Sequence, residues 1–140
     1  MKALFLTALA CLGLITTGLA RVGETEKEIE ARYGKPGKDM GMRGNVHQIG
    51  YMSGGFMILV DFVNGVSQRE GFANPDSTPL TNDAIDEILR MNTPEGLTWE
   101  PGRSPGEDKA WQRSDGKVIA LCPSPRLFLF FQDVNYKPPK

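Results

Sequence analysis

The 140-residue sequence is poor in the residues that usually carry chemistry: two cysteines, one histidine and almost no surplus of charge. Sixteen Lys and Arg against 17 Asp and Glu leave a net charge of −1. Without a basic field neither nucleic acid nor an anionic membrane is an expected partner. His47 and Cys122 have no clustered partners such as Cys-x-x-Cys or His-x-x-x-His, so no metal site is assigned. Gly54-Gly55 and Gly41-Met42-Arg43-Gly44 lack the Lys-Ser/Thr and following helix of a phosphate loop. Nothing around Ser53, Ser67, Ser114 or Ser124 resembles a nucleophile elbow, and any triad would have to use His47. No catalytic, cofactor-binding or metal-binding residue is therefore assigned, and no cofactor is expected.

What is present begins at the N-terminus. Lys2 precedes an apolar run from Ala3 to Ile15, and Thr16-Thr17-Gly18-Leu19-Ala20 follows. This is the pattern of a signal peptide at 1–20, with Gly18 and Ala20 at the −3 and −1 positions before Arg21. The run is too short for an ordinary membrane span, so the mature chain is expected to carry no transmembrane segment. Ala8-Leu9-Ala10-Cys11 matches a lipobox only loosely, because apolar sequence continues beyond Cys11. The expectation is export to the periplasm or secretion, with Cys122 left as a single buried thiol unable to form an internal disulfide.

Residues 21–135 read as a single α+β domain, and the tail at 136–140 is expected to fray. Thr25-Glu26-Lys27-Glu28 is a capping box, Ile29 and Tyr33 share one helix face, and Gly34-Lys35-Pro36-Gly37 stops the helix. A second helix opens at Thr81, carries the stripe Ala84, Ile85, Ile88 and Leu89, and ends at Asn92-Thr93-Pro94. The two caps are 56 residues apart, and Ile29 with Tyr33 then superposes on Ile85 with Leu89. Strand, Ser-x-Gly turn, strand also recurs, from Tyr51 to Val60 and from Gln112 to Leu121. A third strand follows Asn64-Gly65 in the first half and Pro123-Ser124-Pro125 in the second. The reading is a tandem α-β-β-β repeat, at about 23–73 and 79–133, in one antiparallel sheet with two helices on one face. Ile29, Tyr33, Ile85, Ile88 and Leu89 should bury against Ile58, Val60, Ile119 or Leu121.

The stretch from Gly23 to Pro36 reads Gly-x-Thr, a short helix, then Gly-x-Pro, and Phe62-Val63-Asn64-Gly65 closes the strands that follow. This resembles the opening of small secreted bacterial domains of the β-lactamase-inhibitor-protein-like fold. That group includes the small outer-membrane lipoprotein of the β-barrel assembly machinery. The resemblance covers Gly23 to about Gly65 and implies a fold; none of the inhibitor's binding residues has a counterpart here.

One pattern exceeds what a one-sided sheet needs. Phe56, Ile58, Val60 and Phe62 alternate with Met57, Leu59 and Val63, and Leu127, Leu129 and Phe131 alternate with Phe128 and Phe130. Alternation sends the two sets to opposite faces, so two short helices cannot cover both. A loop such as Glu100–Asp108, a second copy, or a foreign partner must meet the leftover set. The expected function is a non-catalytic binding module with Met57, Leu59, Val63, Phe128 and Phe130 as its candidate interaction face. Its partner would be a protein or peptide, or the same chain as a dimer. Two alternatives remain: a small periplasmic hydrolase using carboxylates that only folding brings together, and an assembly factor for envelope proteins.

Overall fold

The computed structural model describes residues 22–102 and 109–140. The expected signal peptide, Cys11 and most of the loop from Glu100 to Asp108 lie outside the described residues. The chain runs α1 (Glu26–Tyr33), β1 (Lys38–Arg43), β2 (Val46–Ser53), β3 (Phe56–Val63), β4 (Val66–Ala73), α2 (Asn82–Met91), β5 (Trp99–Pro101), β6 (Lys109–Arg113), β7 (Val118–Cys122) and β8 (Leu129–Asp133). These form an α+β domain with one antiparallel sheet in the order β1-β2-β3-β4-β8-β7-β6-β5. Among the described residues no helix is long and apolar enough to cross a membrane.

Both helices start as their sequences direct. Thr25 accepts the Glu28 N–H, and the Glu28 carboxylate accepts the Thr25 N–H at 2.8 Å, closing the capping box. Thr81 has the same backbone angles as Thr25, φ −73° and ψ 162°, and accepts the Ala84 N–H at 3.1 Å. Gly34 stops α1 at φ +88°, a conformation that costs a side-chain-bearing residue energy. Ile29 from α1 and Ile85, Ile88 and Leu89 from α2 are buried in a single apolar cluster with Ile58, Val60 and Phe131. Tyr33 packs against that cluster's margin.

Two expectations are corrected. The sheet has eight strands rather than six, and the two extra, β1 and β5, are its outermost members. All six residues of β1 are exposed and β5 has only three residues, one of them proline, so neither shows an apolar alternation. On β7 it is Val118, Ala120 and Cys122 that face the core, not Ile119 and Leu121. Ala120 pairs with Phe131, and this register turns Ile119 and Leu121 to the other side. In the tail, Tyr136 and Pro139 are half-buried, and Tyr136 is hydrogen-bonded to the sheet.

Candidate interaction face

Strand alternation decides which apolar set is left over. Phe56, Ile58, Val60 and Phe62 point into the core, so Met57, Leu59, Asp61 and Val63 occupy the outer face. Strand register then aligns Gly50, Leu59, Gly71 and Phe130 in one row across β2, β3, β4 and β8. Leu59 is thus flanked by two glycines. A Cβ at Gly71 would lie 2.8 Å from two carbons of the Phe130 ring, so the ring lies directly on glycine backbone. Phe128 stacks on Phe130 with centroids 5.2 Å apart and planes 12° from parallel.

Met57, Leu59, Val63, Phe128 and Phe130 are each half-buried. The structure brings Leu59, Phe128 and Phe130 together around Gly71, and Met57 sits one row along, paired with the exposed Met52. Val63 stands apart, separated from Leu59 on this face by Asp61.

Asp61 is a carboxylate within an apolar strand, and it is 3% exposed. Its Oδ1 accepts from Gln48 Nε2 at 2.7 Å, and its Oδ2 accepts from Arg69 Nε at 3.0 Å and the Tyr136 hydroxyl at 2.8 Å. The Arg69 guanidinium lies 4.6 Å from the Phe130 ring centre and 5.6 Å from that of Tyr136. Burial, followed by the bond to Asp61, pushes the Tyr136 phenol above its ordinary pKa. Beside this cluster is a cavity of about 250 Å³ whose walls include Met40, Met42, Arg43, Asp61, Arg69, Pro138 and Pro139.

A second buried carboxylate, Glu70, sits on the core face beneath α1. The Tyr33 hydroxyl donates to its Oε2 at 2.6 Å, whereas Oε1 has no hydrogen-bond partner among the described residues. Burial raises the Glu70 pKa to about 7, against the opposing effects of the Tyr33 bond and the Arg32 charge. Arg32 itself pairs with Glu24. Through that ion pair Glu24, which precedes α1, joins this inner cluster.

Asp61 and Glu70 do not form a catalytic pair. Asp61 pairs across the strands with Arg69 and Val60 with Glu70, so the two carboxylates point to opposite faces. His47, the only histidine of the chain, bridges α1 to the sheet edge: Nδ1 lies 3.2 Å from Glu26 Oε1 and Nε2 lies 2.8 Å from Asp39 Oδ1. The Asp39 bond is the main cause of its raised pKa.

Sequence reading passed over Asp61, Arg69, Tyr136 and Glu70. The signal for Asp61 was available, since a lone carboxylate inside the apolar run from Phe56 to Val63 needs a partner when buried. Glu70 had no such signal. A bulge between Asp61 and Phe62 sets Gln68 outside the pairing and reverses which residues of β4 face inward.

No protein-family model matches this chain, and no curated protein matches it in sequence. Solved structures similar in part to this chain include two bacterial proteins. One is a cysteine-rich secretory protein from Staphylococcus aureus subsp. aureus Mu50, at 11% identity and a TM-score of 0.46, covering 81% of this chain and 43% of that one. The other is an extracellular protein containing a SCP domain from Bacillus anthracis str. Ames, at 9% identity and a TM-score of 0.45, covering 81% of this chain and 44% of that one. The chain thus spans less than half the length of either.

Proposed function

We propose that this protein is an exported, non-catalytic binding module that engages a protein or peptide through the outer face of its sheet. The observation that carries the reading is the Leu59, Phe128 and Phe130 group laid over Gly71, with Met57 and the exposed Met52 continuing it. Aromatic and methionine side chains on a broad, shallow surface suit protein contacts. The N-terminal apolar run supports export, and the stretch from Gly23 to Gly65 supports kinship with the β-lactamase-inhibitor-protein-like domains. The order α-β-β-β-β written twice, with matching threonine caps, supports a duplicated architecture whose helices share one face.

The test is site-specific photocrosslinking in the producing cell. A photoreactive phenylalanine derivative at Met57 should give a discrete protein adduct. The same group at Glu87, an exposed residue of α2, should give none. No adduct from either position, or the same adducts from both, would contradict the reading.

A further inference from the structure

The C-terminal tail touches the outer face at two points. A turn after β8, with the Asn135 N–H donating to Asp133 Oδ1 at 2.8 Å and the Tyr136 N–H to the Asp133 carbonyl at 3.0 Å, turns the chain back. Tyr136 then reaches Asp61 on β3, while Pro138 and Pro139 line one cavity with Met40 of β1 and Val46 of β2. The span fits an extended chain: three residues of polyproline geometry cover about 9 Å, and two strand spacings are about 9.6 Å.

The tail fits its groove poorly. A cavity of about 250 Å³ remains between the prolines and β1, and Met40 stays 49% exposed. Charge is mismatched as well. Arg43 and Arg69 line the cavity, and Asp61 is the one carboxylate among the described residues lining it. Asp61 is already taken by Arg69, Gln48 and Tyr136. The tail carries Lys137 and Lys140 on either side of the two prolines and offers Arg43 no carboxylate side chain.

We propose that this groove is the docking site for an extended, proline-containing segment of a partner polypeptide bearing acidic side chains, and that the tail is a weak internal occupant which that segment displaces. The proposal rests on the reading of the outer face as a binding surface. A displacing segment would place a tyrosine on Asp61, prolines against the apolar wall and carboxylates near Arg43, in the manner of polyproline recognition.

The experiment uses the full chain and a fluorescent hexapeptide copying Asn135 to Lys140 with Lys137→Glu and Lys140→Glu, read by anisotropy. Binding to the full chain should be at least tenfold tighter than that of the peptide with the native lysines. It should tighten about tenfold when Tyr136→Ala in the protein releases the competing tail, and weaken at least tenfold in Arg43→Glu. If circular dichroism shows Tyr136→Ala to be unfolded, Tyr136→Phe should still tighten binding, by about threefold. Absence of binding, equal affinity for the acidic and native peptides, or equal affinity for a scrambled acidic peptide would overturn the proposal. Tyr136-dependent dimerisation in sedimentation, without peptide binding, would assign the groove to a second copy and likewise overturn it. Met57 lies at the opposite end of β3 from the tail. A surviving adduct from Met57 with no peptide binding therefore sinks this proposal alone.

Discussion

Asp61 and Glu70 are neighbours on adjacent strands, equally hidden from solvent, yet their surroundings differ in kind. Asp61 meets a guanidinium, an amide and a phenol, and both its oxygens are bonded. Glu70 receives one phenol and leaves Oε1 without a partner among the described residues. The difference follows from the face. On the outer face long side chains and the tail converge from several elements on Asp61, whereas the core face offers Glu70 mainly apolar neighbours and α1. A carboxylate supplied with donors becomes a fastening point for the tail. One that lacks them becomes a protonation-dependent flaw in the core.

The sharpest way to break this contrast is Asp61→Ala. It leaves Arg69, Gln48 and Tyr136 without their common acceptor and should cost about 3 kcal/mol in urea unfolding. Glu70→Gln should act in the opposite direction at alkaline pH. The folded-state pKa of about 7 lies above the unfolded value of 4.5, so the folded chain binds more protons between these limits. Stability is then full below about pH 4.5 and falls as pH rises through about 7, by up to about 3 kcal/mol. Glu70→Gln removes this fall, so the variant should exceed the parent at pH 8 and lose its advantage at pH 4. A smaller effect belongs to Tyr136→Phe, which deletes one hydrogen bond to Asp61 and should cost about 1 kcal/mol. The smallest belongs to His47→Asn. Its raised pKa means that its contribution is present below the unfolded value and is lost as pH rises through the folded one. Because the ion pairs are solvent-exposed, the loss should be about 0.5 kcal/mol, visible in melts at pH 5 and absent at pH 8.

Legibility in the sequence followed physical cause. Helix starts were readable because Thr25 and Thr81 are local capping signals that need no knowledge of the rest of the fold. β3 and β4 were readable from an apolar run and the Asn64-Gly65 turn, where both residues have positive φ. The edge strands were not, because an exposed edge has no apolar face to announce it and β5 ends in Pro101. The inward side of β7 depended on pairing with a distant strand, β8, which single-residue alternation does not encode. Met57, Leu59, Val63, Phe128 and Phe130 were recognisable as a leftover set from period two alone. Their arrangement was not, since it depends on Phe130 resting on Gly71 and on a tail that carries its hydroxyl back to Asp61.

Whether the outer face is a surface or a second core is decided most directly by a circular dichroism melt of Leu59→Glu. Leu59 is half-buried between Gly50 and Gly71, where a longer charged side chain has room to reach solvent. The binding account predicts a cooperative melt with a stability loss below about 2 kcal/mol, well short of the cost of removing a core leucine. A chain with no folded baseline at 25 °C would contradict it and assign the outer face to the interior.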